Sequence, residues 1–154
     1  IGLIDKMVPN AFYVHIIRDG RAVANSLLRV AWWGQTDVWW FDGKPEKWVE
    51  MGRDPIKLCA LQWQRDVREI LDHKHLFAER YLEIRYEELV EDTKATVGQV
   101  LQFAGLDSGG RFMETLPESL PNMNYKWEEQ LDAHQKALLE ECIGDSLAAL
   151  GYPT

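Results

Sequence analysis

The stretch that most restricts the fold is NAFYVHIIRDGRAVANSLL, residues 10–28. Phe12, Tyr13, Val14, Ile16 and Ile17 are strand formers almost without interruption, the pattern of a parallel strand buried on both faces. The run stops at Arg18-Asp19-Gly20-Arg21, and small and apolar residues at helical spacing follow at once. A strand that turns directly into a helix commits the chain to an α/β arrangement. Arg18 then falls at the C-terminal end of a parallel strand, the edge where open α/β sheets take ligands. Gly20 lets the backbone turn sharply or approach a ligand closely. A helix starting here aims its unpaired N–H groups and the positive end of its dipole the same way as Arg18. A guanidinium fork suits bidentate contact with phosphate. Two readings stay open from the residues: an anion site at Arg18, or an ion pair of Arg18 or Arg21 with Asp19 or another acid on the sheet rim.

Downstream, GRAVANSLLRVAWW is expected as one helix, and residues 35–52 as an irregular, Trp-rich insert with FDGKPEKW as a turn. Asp54-Pro55 reads as an N-cap and first helical position. Behind it Ile56, Ala60, Trp63, Val67 and Ile70 form a single apolar stripe. RYLEIRY is a second, more polar strand. EDTKATVGQVLQFAGL is a further helix, with Val97, Val100, Leu101 and Ala104 facing inward and Gly105 at its C-terminus. Residues 107–125 read as loop. Asp132 caps a last helix whose stripe is Leu139, Ile143, Leu147 and Leu150, closed by Gly151. Two strands are too few to bury the faces of a parallel sheet. The chain therefore reads as the C-terminal portion of one larger α/β domain, with its N-terminal strands lying before Ile1.

Composition narrows the function classes. The 154 residues are 46% hydrophobic, enough for a core, with no apolar run long enough to span a membrane. A net charge of −8 argues against a nucleic-acid partner. It leaves room for a small anion, because screening lets a local cationic cluster outweigh distant carboxylates. Cys59 and Cys142 are the only cysteines, expected as reduced, buried thiols of a cytoplasmic protein. The Walker-type and dinucleotide glycine loops, the serine elbow and the zinc-protease motif are all missing. His73 and His75 are spaced poorly for a metal, His134 is expected at the surface, and His15 reads as a satisfied strand histidine. No metal ligand set is named.

The segment HIIRDGRAVANSLL resembles the 3′-phosphate-binding segment of sulfotransferases that use 3′-phosphoadenosine-5′-phosphosulfate. In that family an Arg ends the strand and a Ser lies eight residues on, as Arg18 and Ser26 do here (26 − 18 = 8). YLEIRYEELVEDTKATVGQVLQFAGL resembles the family's second landmark, a strand ending in Tyr-Glu-x-Leu and its following helix. NYKWEEQL and the closing LGY resemble the C-terminal Lys-Trp segment and last helix of tyrosylprotein sulfotransferases and their bacterial relatives. The likeness runs from Ala11 to Tyr152.

The resemblance implies a P-loop-type three-layer parallel sheet flanked by helices. It implies that Arg18 and Ser26 bind the 3′-phosphate of the donor, that Tyr86 contacts its nucleotide, and that Lys126 reaches a cofactor phosphate. The residue types suit these roles: the cations neutralise phosphate, the hydroxyl donates one hydrogen bond, and a Tyr offers both a face and a hydroxyl. The product would be 3′,5′-adenosine bisphosphate and the acceptor a hydroxyl or amine on a small molecule or peptide. In the family the loop for the 5′-phosphosulfate and the catalytic base precede the strand that ends in Arg18, so no catalytic residue is named and these residues alone are expected to show no turnover. Relatives carry a basic residue four after the Ser, whereas Arg29 is three after, and no role is given to it. Alternatives are a nucleotide-binding module without catalysis, a kinase-like enzyme, and an interaction domain of the same fold. The Trp-rich insert is read either as packing or as an aromatic wall around the acceptor.

Overall fold

The computed structural model of the chain describes residues 2–153. In chain order the first elements are α1 (Gly2–Met7), β1 (Tyr13–Ile17), α2 (Gly20–Leu27), α3 (Pro45–Glu50) and α4 (Pro55–His73). They are followed by β2 (Tyr81–Arg85), α5 (Tyr86–Glu91), α6 (Thr93–Phe103), α7 (Arg111–Thr115), α8 (Lys126–Gln130) and α9 (Ala133–Ala149). The α/β class is as expected. The chain divides into two compact units, one of residues 1–18 and 69–122, the other of residues 19–68 and 123–154.

The first unit is built on β1 and β2, paired in parallel from Tyr13↔Tyr81 to Ile17↔Arg85. α5 and α6 pack against β2, and Ile17, Phe77, Ile84 and Val90 are buried. Arg80 ties α1 to the strands: its guanidinium donates to Asp5 Oδ1 at 2.8 Å and to the Ala11 carbonyl at 3.0 Å. The expectation of a strand covered on both faces is corrected here. Phe12, Val14 and Ile16 alternate with the inward residues and are 51%, 39% and 50% exposed. Two strands present one face to the helices of their unit, and an apolar run does not by itself say how many faces are covered. On α6 the buried positions are Thr93 and Thr96, while the four apolar residues expected inward are half-buried. Gly105 adopts φ +68° and ends the helix as expected. The stretch read as loop holds the short helix α7.

In the second unit α4 is the spine. Asp54 Oδ1 accepts from the Ile56 N–H at 2.9 Å, the N-cap expected from the sequence. Ile56, Leu58, Cys59, Ala60, Trp63 and Val67 are buried, with Ile70 half-buried farther along the helix. Facing residues come from α9, where Leu139, Ile143 and Leu147 are at most 1% exposed. Asp132 and Gln135 form a full capping box at its start. Gln64 crosses between these helices, donating to Ser146 Oγ at 2.7 Å and to the Cys142 carbonyl at 3.2 Å. Among the described residues no helix is long and apolar enough to cross a membrane.

α2 is shorter than the expected helix through Trp33. It ends at Leu27 because Arg29 and Val30 bond three residues back, to Ser26 and Leu27, which tightens and closes the last turn. The Trp-rich insert is also more ordered than predicted. Pro45 starts α3, Trp33 and Trp48 are buried, and Trp40 meets Trp48 edge to face at 6.2 Å. Trp40 Nε1 donates to Gln62 and the Arg65 guanidinium lies over its ring, so packing accounts for these three. Trp32 and Trp39 are 64% and 61% exposed.

Candidate functional site

β1 ends at Ile17, β2 ends at Arg85, and these two residues are register partners. The residue after β1 is Arg18, and the residue after β2 is Tyr86, the first of α5. Parallel pairing therefore sets Arg18 and Tyr86 side by side at the C-terminal edge of the strand pair. The Arg18 guanidinium lies over the Tyr86 ring at 4.2 Å from its centroid. Stacking of this kind holds a guanidinium in one plane. Two residues chosen separately in the sequence thus form one cationic ledge where α/β sheets take ligands.

The start of α2 differs from expectation in two ways. Its N-terminus is not bare: Asp19 is the N-cap, and its Oδ1 accepts from the Arg21 N–H at 2.8 Å. The same carboxylate takes the Arg21 fork, Nε to Oδ1 at 3.1 Å and Nη2 to Oδ2 at 2.8 Å. The rim ion pair considered from the sequence is made by Arg21, and the anion at this helix end is the protein's own. Gly20, second, is not in the left-handed region. A Cβ there would sit 2.6 Å from Trp63 Cε3 and 2.7 Å from Cδ2 and Cζ3. Gly20 is required by the indole packed against it, rather than by a sharp turn.

Ser26 lies exposed on α2, and Lys126 is the first residue of α8, half-buried. α8 packs on α2. The two helices are joined by Asn25 Nδ2 to Gln130 Oε1 at 3.0 Å and Arg29 Nη2 to the Gln130 carbonyl at 3.3 Å. Arg29 also holds the carbonyl and side-chain oxygens of Asn25. The residue given no role by the sequence is thus a brace within α2 and onto α8. The Arg21 guanidinium stacks on Trp127, 4.5 Å from the ring centroid. Sequence reasoning missed this pairing of Arg21 with Trp127. The missed signal is that Arg21, three residues past Arg18, shares the first turn of α2 with the Asp19 cap.

The remaining candidates behave as surface or structural groups. His15 Nδ1 is 2.7 Å from the Tyr81 hydroxyl, which donates to Glu83 at 3.2 Å. Burial lowers the His15 pKa, and burial followed by the Glu83 charge raises that of Tyr81. His73 contacts the Glu69 carbonyl one turn back, and His134 is exposed. No cluster among the described residues could hold a metal ion. Both cysteines are free thiols, and burial pushes that of Cys59 up to about 12. Cys142 is half-buried rather than buried, being on the flank of α9. A cavity of about 530 Å³ opens in the second unit, with Leu28, Val30, Ala31, Trp33, Pro45 and Val49 in its mainly apolar lining and Glu46 and Glu50 among its polar groups.

Residues 1–109 match the model of the Sulfotransferase family. Two similar proteins are the omega-hydroxy-beta-dihydromenaquinone-9 sulfotransferases Stf3 of Mycobacterium bovis and Mycobacterium tuberculosis, each 27% identical over 99% of this chain. The chain spans 38% of the length of each of those relatives. Among solved structures, the sulfotransferase domain from the curacin biosynthetic pathway shares the fold with a TM-score of 0.56 at 22% identity, over 94% of this chain and 54% of that one.

Proposed function

The chain belongs to the sulfotransferase family, and from that premise we propose that it supplies the donor-holding portion of a sulfuryl-transfer domain using 3′-phosphoadenosine-5′-phosphosulfate. The observation that carries this reading is the Arg18–Tyr86 ledge at the C-terminal edge of the parallel strands. A guanidinium fixed flat on a ring presents a preset fork, and the donor set of Arg, Ser, Tyr and Lys suits a phosphorylated nucleotide. Arg18 and Ser26 take the 3′-phosphate, as the resemblance of their segment to the family's implies. Tyr86 contacts the nucleotide and Lys126 a donor phosphate.

When bound, the donor supplies the transferable sulfuryl group and departs as 3′,5′-adenosine bisphosphate. The residues of this chain bind and orient. Arg18 neutralises the 3′-phosphate, Ser26 fixes its angle with one hydrogen bond, and Lys126 neutralises a donor phosphate, so the donor is held in one position for the transfer. No Asp or Glu here is assigned the proton transfer. On the acceptor side, the 530 Å³ apolar cavity and the hydroxylated quinone in the relatives' names favour a hydroxyl on a small apolar molecule. The two free thiols agree with a reducing, cytoplasmic setting.

Calorimetric titration of the chain with 3′,5′-adenosine bisphosphate tests the donor reading, with 5′-adenosine monophosphate as the comparator lacking the 3′-phosphate. The bisphosphate should bind far more tightly. Arg18→Ala should remove that preference, and Arg18→Lys, which keeps the charge but loses the fork, should restore only part of it. Equal affinity of Arg18→Ala and the parent for the bisphosphate would overturn the reading in favour of a structural arginine.

A further inference from the structure

Lys126 heads a helix of five residues, too short to hold its own position in water. What fixes α8 is its seat on α2, where Asn25 and Arg21 are buried, 4% and 9% exposed. Arg21 is constrained on two sides. Its edge is held by both Asp19 oxygens, at 3.1 and 2.8 Å, and Asp19 is itself bound to the first turn of α2. Its face lies on the Trp127 ring at 4.5 Å. The guanidinium therefore transmits the orientation of the α2 N-terminus to the residue directly after Lys126. With its charge matched by Asp19, Arg21 serves this purpose as a flat, rigid group more than as a cation for a ligand. A lysine could provide neither the fork nor the plane.

We propose that Arg21 and Trp127 are positioning residues that hold Lys126 in place for its donor phosphate. This rests on the reading of Lys126 as a phosphate contact. Without the stack, the side-chain hydrogen bonds that tie α8 to its surroundings fall beyond Trp127, from Lys136 to the Glu128 carbonyl at 2.6 Å and at Gln130 at 3.0 and 3.3 Å. Lys126 would then sample many directions, and the ordering of its long side chain would have to be met on binding.

The test is a mutant cycle read by titration with 3′,5′-adenosine bisphosphate. Lys126→Met should weaken binding roughly tenfold or more, the loss of one charge-assisted contact. Trp127→Leu and Arg21→Lys should each weaken it by nearly as much, and Trp127→Phe, which can still stack, should recover most of the loss. The combination Lys126→Met with Trp127→Leu should bind no worse than Lys126→Met alone, whereas Trp127→Leu should multiply its full effect onto Ser26→Ala. A general structural role would multiply in both backgrounds, and that result would overturn the proposal. So would parental affinity in Trp127→Leu, or in Arg21→Lys if Trp127→Leu does not fold. Loss of affinity in Lys126→Met identifies these as failures of the positioning role. Parental affinity in Lys126→Met would instead overturn the phosphate role of Lys126, and the positioning role with it.

Discussion

Gly20→Ala is a one-carbon change with a definite sign. The new Cβ would lie 2.6–2.7 Å from three atoms of the Trp63 ring. Carbon atoms settle at about 3.5–4.0 Å, so the helix start and the indole must separate by about 1 Å. Trp63 is only 5% exposed and its ring is rigid, so it has no empty space to swing into. Overpacking of this sort costs about 1–3 kcal/mol. Against it stands a gain of about 0.4–1 kcal/mol from the stiffer unfolded chain when Gly becomes Ala. The balance is a destabilisation of about 1–2 kcal/mol. In urea this should appear as a lower midpoint at unchanged slope, followed by tryptophan fluorescence. Trp63→Leu removes the obstacle, so adding Gly20→Ala to that variant should cost much less than it does in the parent. A Gly20→Ala protein as stable as the parent would refute the packing account.

The other expectations concern titration, thiols and the ligand. Because burial lowers the folded pKa of His15, the unfolded chain binds the proton more readily as the pH falls below about 6.5. Stability should therefore drop as the pH is lowered through that value toward the folded pKa, and His15→Gln should flatten this part of a pH series of urea midpoints. With its thiol pushed to about 12 and no exposed surface, Cys59 should resist an aromatic disulfide reagent at pH 8, while Cys142 reacts first. Two fast-reacting thiols in the native protein would contradict that. The loss of bisphosphate preference in Arg18→Ala should come without a comparable fall in the urea midpoint, since the Tyr86 stack is half-exposed.

Much of this was legible in the residues because the signals were local. Asp54, Asp132 and Gly105 each mark a helix end through side-chain or backbone chemistry confined to one turn, and each is where the sequence puts it. The strand before Arg18 and the helix after it are likewise set by neighbouring residues. Features depending on distant partners were not legible. Nothing near Phe12, Val14 or Ile16 tells how many faces of their strand are covered, and the Gly20 requirement comes from Trp63, more than forty positions away. The Trp-rich insert looked irregular because its order comes from rings packing on one another instead of from a repeating pattern. For the candidate residues, the strand end picked out Arg18 and the family resemblance picked out Tyr86, one at a time. Their stacking depends on strand register, a property of the pair.

That register also says which changes in chain length a lineage of such proteins can absorb. The stretch from Asp19 to Arg80 can lengthen or shorten without altering the phase of either strand, provided both pentapeptides stay in step. One residue inserted inside Tyr13–Ile17 or Tyr81–Arg85 is different, because it turns the side chains beyond it to the opposite face. The arginine and the tyrosine would then stand back to back. Variation by insertion and deletion should accordingly gather in the intervening segment and stop abruptly at two five-residue windows, making the spacing within them a stricter signature than the number of residues that separates them.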